Sequence, residues 1–162
     1  MWGGERRSVS ISTGKERLMS EENRKAIRIS VRNLVEFVLR SGDIDNRRSG
    51  NAQKDAMLAG GRIHRKIQKR MGSGYRAEVP LKHEVQDEEQ EITLLVEGRA
   101  DGIFTENGIP VIDEIKGMYT DISRLEEPIE VHLAQAMCYG YFYCCDKDLD
   151  GIRLQMTYCN LE

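Results

Sequence analysis

The chain has 162 residues, 40% of them hydrophobic and 31% charged, which suits one domain with a real core. Its formal charge of −3 excludes a globally basic nucleic-acid binder, though not a locally basic one. No run approaches the ~18 apolar residues of a membrane span, and Met1-Trp2-Gly3-Gly4-Glu5-Arg6-Arg7 lacks the apolar core of a secretory signal. A cytoplasmic protein with no membrane partner is the expectation.

Residues 1–26 are polar, with scattered Gly and Ser, and read as a flexible leader ahead of one domain over 27–162. Met19 is an alternative start. Ile27 to Leu39, "IRISVRNLVEFVL", reads as a first helix with Ser30 near its N-cap, and Ser41 to Asn51 as a charged loop. From Ala56 to Met71 the spacing predicts a helix whose inward stripe is Ala56, Gly60, Ile63, His64, Ile67 and Met71. Its other sides carry Arg62, Arg65, Lys66, Lys69 and Arg70. Across Arg47 to Arg70, Asp55 is the one acid among eight basic residues. Such a patch tracks a phosphate backbone, or simply keeps a helix solvated.

Three strands follow, Tyr75 to Val85, Glu91 to Phe104 and Ile109 to Lys116, with turns at Asp87-Glu88-Glu89-Gln90 and Glu106-Asn107-Gly108. They should form an antiparallel meander. Glu130 to Tyr143 reads as a helix with the stripe Val131, Ala134, Gln135, Cys138, Tyr139 and Phe142, and Ile152 to Cys159 as a last strand. The expected architecture is α/β, in the order helix, three-stranded meander, helix, strand. No repeat is present. Thr13-Gly14-Lys15 has Val9 where a phosphate loop needs its first glycine. Cys138, Cys144, Cys145 and Cys159 lack CxxC spacing, which points away from a zinc site or a disulfide framework.

The chemistry concentrates in Val96 to Gly117. Side chains alternate along a strand, so Glu114 and Lys116 share one face while Asp113 and Ile115 share the other. A hairpin turning at Asn107-Gly108 brings Asp101 close to Glu114. Two adjacent carboxylates repel unless a cation lies between them. Mg²⁺ takes such oxygens, with the Ile115 carbonyl as a natural further ligand. Lys116 beside it would orient a water or stabilise charge building on a phosphate. A Lys–carboxylate cluster on a solvated sheet explains these three residues equally well. Taken alone, His64 on an inward stripe reads first as a satisfied core histidine, and Gln135 and Tyr139 as the polar rim of a packing face. Their convergence on one sheet face is harder to explain that way.

Gly60-x-x-x-His64, Gly98-x-x-Asp101, Asp113-Glu114-Ile115-Lys116 and Gln135-x-x-x-Tyr139 together resemble the PD-(D/E)xK nuclease superfamily. More narrowly they resemble its RecB-like branch, which includes the nuclease domains of recombination helicase–nucleases and the CRISPR adaptation nucleases. The resemblance spans about Ile27 to Leu161. It implies a restriction-endonuclease-like αβββαβ core and a DNA nuclease of repair or recombination dependent on Mg²⁺ or Mn²⁺. His64, Asp101, Glu114 and the Ile115 carbonyl would ligate the metal, and Lys116 would be the catalytic lysine. Gln135 and Tyr139 would position that lysine and the DNA, with Glu78 an auxiliary carboxylate. Apart from the resemblance, the charge pattern of the His64 helix makes Arg62, Arg65, Lys66 and Lys69 the expected nucleic-acid-binding residues. The family's iron–sulfur branch needs a cysteine ahead of the histidine helix; no cysteine precedes Cys138, so no cluster is expected. "ISVRNLVEFVLRSGDID" and "MTYCNLE" are also similar to the N-terminal nuclease region of DinG/XPD-type bacterial helicases. That similarity implies a helicase domain or subunit as partner and this chain as a fragment or stand-alone form. The rival reading is a non-catalytic nucleic-acid-binding module of the same fold.

Overall fold

A computed structural model of the chain describes residues 25–39 and 50–161, with side chains from 58 onward in the second helix. The elements are β1 (Lys25–Ser30), α1 (Val31–Val38), α2 (Gly50–Arg70), β2 (Arg76–Asp87), β3 (Ile92–Glu106) and β4 (Ile109–Met118). A 3₁₀ turn at Ile122–Arg124, α3 (Glu130–Lys147) and β5 (Arg153–Asn160) complete them. The result is a mixed α/β fold, one five-stranded sheet with three helices.

The expected helix over Ile27–Leu39 is two elements. Ile27 and Ile29 alternate with polar neighbours and pair in parallel with Leu94 and Val96 of β3, so this stretch is strand. The helix starts only at Val31. Ser30 is its N-cap, with Oγ accepting from the Asn33 amide at 3.1 Å. The chain order is therefore strand, helix, helix, meander, helix, strand, rather than one beginning on a helix. The second helix starts at Gly50, six residues ahead of Ala56. Of the expected leader, residues 1–24 lie outside the described residues, as do 41–49 of the expected loop, whose Gly50 and Asn51 are instead the start of α2; Lys25 and Ala26 begin β1.

The meander forms as expected, β2–β3 and β3–β4 both antiparallel. Its tight turn uses Asn107 (φ 52°) and Gly108 (φ 79°), both left-handed, the backbone that matches strand twist in a two-residue hairpin. One edge of β3 is covered by β2 from Ile92 to Ile103. The other edge has two neighbours in succession: β1 over 92–97, then β4 over 102–106. Gly98 to Asp101 carry no ladder partner there, so the sheet forks at that point.

The strand also changes face at the fork. Val96, Ala100 and Ile103 all belong to one apolar cluster, which strict alternation forbids. Across from Asp101, between the Ala77–Gly102 and Val79–Ala100 pairs, Glu78 has φ 54°. A local irregularity of this kind re-aims side chains. Gly98 and Gly102, four residues apart, consequently meet different tyrosines. A Cβ on Gly98 would lie 2.6 Å from the Tyr139 hydroxyl, and one on Gly102 would lie 1.9 Å from the Tyr75 ring. Glycine at both positions leaves the rings their space.

Both α1 and α3 cover the sheet beside the fork. Val31 and Val35 pack with Tyr139, Phe142 and Ile112 in one core. The six expected inward positions of α3 are all buried or half-buried. On α2, Gly60, Ile63, His64 and Ile67 are half-buried as expected, Met71 just past its end is exposed, and the side chain of Ala56 lies outside those described.

Candidate metal and catalytic site

The fork gathers the polar residues. Asp101, on the unpaired stretch of β3, reaches across the gap, and its Oδ2 accepts the Ile115 amide at 2.7 Å. A side chain thus replaces the ladder bond that the parting strands lose. Its other oxygen, Oδ1, lies 3.2 Å from His64 Nδ1 on α2. That contact raises the His64 pKa above its ordinary value, against the effect of burial. Glu78 comes in from β2. Ligand atoms of His64, Glu78 and Asp101 lie within 4.8 Å of one another.

One helical turn beyond His64, Gln68 fixes this arrangement. Its Nε2 donates to Glu78 Oε1 at 3.2 Å and to the Asp101 carbonyl at 3.0 Å. Sequence reasoning missed Gln68, and no periodicity marks it apart from its i+4 spacing from His64. Glu78, expected as an auxiliary carboxylate, joins the cluster through a backbone kink that no local pattern announces.

Glu114 and Lys116 project together from β4, as the alternation requires. Lys116 Nζ is 2.8 Å from Glu114 Oε1 and donates to Gln135 Oε1 on α3 at 2.9 Å. Gln135 also hydrogen-bonds the Tyr139 hydroxyl, whose pKa burial pushes up to about 12. Glu114 is 2% exposed, and its Oε2 is the one buried side-chain polar atom among the described residues without a hydrogen-bond partner. Burial pushes its carboxyl well above the usual range, with Lys116 opposing the shift.

Asp113 presents the other face. It accepts from Tyr75 Oη at 2.8 Å, Thr157 Oγ1 at 2.6 Å and Gln155 Nε2 at 3.3 Å. Tyr75 stacks on Phe104, 5.9 Å between centroids.

The donor set suits a divalent cation. One imidazole and two carboxylates converge, and a third acid nearby has an orphaned buried oxygen, which is costly unless a cation neutralises it. Oxygen-rich sites of mixed N/O type fit Mg²⁺ or Mn²⁺. Glu114 stands outside the His64–Glu78–Asp101 group and is tied to Lys116. The Ile115 amide is bonded to Asp101, and Ile115 lines the cleft beside Lys116.

A cleft of about 510 Å³ adjoins the cluster, lined by His64, Lys116 and Gln135 together with Arg32, Gly60, Gly61 and His132. His132 sits in it without charge at neutral pH, its pKa lowered to about 4 by burial and by Lys116 and Arg32. Neither Arg32 nor His132 stood out in the sequence. Arg62, Arg65, Lys66 and Lys69 are all exposed on α2.

No family model matches the chain, and no curated protein matches it. Among solved structures it is similar to SSO0001, at 18% identity and a TM-score of 0.56, over 90% of this chain and 69% of that one. Likeness at that identity shows a shared α/β fold alone. Among the described residues, no helix is long and apolar enough to cross a membrane.

Proposed function

We propose that the protein is a divalent-metal-dependent DNA nuclease of the PD-(D/E)xK type, with a restriction-endonuclease-like core. The observation that carries this reading is the pairing of two features at the fork: the His64–Glu78–Asp101 cluster, and Lys116 held between Glu114 and Gln135. A purely structural cluster would satisfy its own atoms, as Asp113 does; Glu114 leaves one oxygen unmatched.

His64, Glu78, Asp101 and the open oxygen of Glu114 would hold Mg²⁺ or Mn²⁺. The bound ion would supply Lewis acidity toward a phosphoryl oxygen and a more acidic water. The chain's own groups do the rest. An ammonium has three N–H donors; Glu114 and Gln135 take two, which leaves the third of Lys116 for the attacking water or a phosphate oxygen. Fixed at both sides, that donor needs no reorganisation as charge builds on the phosphate. Gln135 orients Lys116, and Tyr139, seated over Gly98, orients Gln135. Gln68 holds Glu78 and the strand bearing Asp101 in one frame. Water then adds to phosphorus, the phosphodiester bond to one sugar oxygen breaks, and that oxygen takes up a proton.

The test is incubation of the wild type with linear and circular DNA in Mg²⁺, in Mn²⁺ and in chelator. Metal-dependent fragmentation is expected, and it should be absent in Lys116→Ala. Binding without fragmentation under all three conditions favours the non-catalytic module.

A further inference from the structure

Two adjacent glycines, Gly60 and Gly61, interrupt the middle of the 21-residue helix α2. Glycine weakens a helix interior, so its presence there calls for a physical reason. Among the described residues packing supplies none: a Cβ on Gly60 would meet nothing within 4 Å, and one on Gly61 would meet the end of the Arg65 side chain, at 3.5 Å. The contrast with Gly98 and Gly102, each filled by a tyrosine ring, is sharp. Both α2 glycines line the cleft beside Lys116. Backbone bared toward a cleft permits close approach of a ligand.

The walls define that ligand's charge. Arg32, from α1, and Lys116, from β4, line the cleft with one acid, Glu36. Glu36 bonds Arg32 Nε at 2.7 Å, which steadies the guanidinium and leaves both terminal nitrogens of its fork as donors. Arg65 lies over Gly61 at the same shelf. His132 adds a polar group without charge. Each cation has an acid of its own, Glu36 for Arg32 and Glu114 for Lys116. What the walls offer a ligand is therefore N–H donors, the terminal nitrogens of Arg32 and the third N–H of Lys116, with Arg65 as the further cation. The volume exceeds what one phosphate group fills.

We infer that this cleft seats the sugar–phosphate backbone of a nucleic-acid strand, with a phosphate next to the scissile one lying on the Gly60–Gly61 shelf opposite Arg32. The inference rests on the nuclease reading, because it places the strand relative to Lys116. The strand passes between α1 and α2, and the missing Cβ atoms let it lie low enough for the scissile phosphate to reach Lys116.

The test uses anisotropy of a short fluorescein-labelled DNA single strand in chelator, with thermal melts of each variant. Gly60→Ala should raise Tm by about 2–4 °C, since alanine favours the helix and its Cβ meets nothing. It should nevertheless weaken strand binding about tenfold or more. Arg32→Gln should weaken binding and flatten its salt dependence by a slope of about 0.7. Unchanged binding by Gly60→Ala, or a lowered Tm, overturns the shelf. A wild type that binds this strand but does not cut it in Mn²⁺ removes the nuclease reading and leaves the shelf standing. Cutting by Gly60→Ala with unchanged KM removes the shelf and leaves the nuclease reading standing.

Discussion

Asp113 and Glu114 are neighbours on one strand, both buried, and their surroundings could hardly differ more. Asp113 is 0% exposed, and three side-chain donors cover its two oxygens. Glu114 is 2% exposed, with one oxygen on Lys116 and the other on nothing. Burying a carboxylate is tolerable when donors replace its water, and costly when they do not. The first acid is therefore explained by the fold alone. The second keeps one oxygen that no donor among the described residues meets, on the side where His64, Asp101 and Lys116 gather. The two sides of β4 thus separate an acid whose oxygens are met by donors from one that, on the nuclease reading proposed above, is kept ready for a ligand.

The largest effect expected on this contrast is catalytic. Lys116→Ala removes the cation held beside Glu114 and, on the nuclease reading, should lower cleavage by at least about 10²–10³-fold, with strand binding retained. Single-turnover assays on labelled DNA measure this, and near-normal turnover would remove the lysine from the mechanism. On the other side the effect should be on stability. Asp113→Asn turns an amide N–H toward groups that themselves donate, and it should cost about 2 kcal/mol, or roughly 4–8 °C in Tm. Glu114→Gln, by contrast, should be at least as stable as the wild type at pH 8, because it removes a buried charge. A melt in which Glu114→Gln falls further than Asp113→Asn would reverse the assignment.

Titration sharpens the same contrast. The Glu114 carboxyl moves from an ordinary 4.5 to about 7 on folding. Between those values the unfolded chain has released its proton while the folded chain keeps it, so stability falls as pH rises through that window. His64, raised above 6.5, acts in the same direction: its contribution is present at low pH and is lost as pH rises through its folded value. The metal-free protein should therefore lose on the order of 2–3 kcal/mol of stability from pH 4.5 to 8. Mn²⁺ should flatten the decline, since metal ligands bind deprotonated. Melts across pH with and without Mn²⁺ check both statements. The smallest effect concerns the exposed face of α2. Neutralising Arg65 and Lys69 together should flatten the salt dependence of duplex binding by a slope of about 0.9 per lost phosphate contact. Parallel salt titrations would instead assign those charges to solvation.

Period-two alternation was enough to place Glu114 with Lys116 and Asp113 opposite them, because β4 is a regular strand. The inward stripe of α3, including Gln135 and Tyr139, was legible for the same reason. What local pattern could not carry was the fork. β1 is a strand because a distant segment of β3 pairs with it, and alone its residues merge into the helix that follows. Glu78 joins His64 and Asp101 through a left-handed backbone position, and Gln68 gains its role only once α2 lies against that kink. Arg32 and His132 enter the cleft from helices whose relative placement no window of sequence contains.

The most direct measurement compares Mn²⁺-dependent single-turnover cleavage of labelled DNA by Asp113→Asn and Glu114→Gln at a temperature where both are folded. Asp113→Asn should cut within a few-fold of the wild type, and Glu114→Gln should fall by about 10²-fold or more. Equal rates in the two variants, or loss confined to Asp113→Asn, would contradict the division of labour between the two faces of β4.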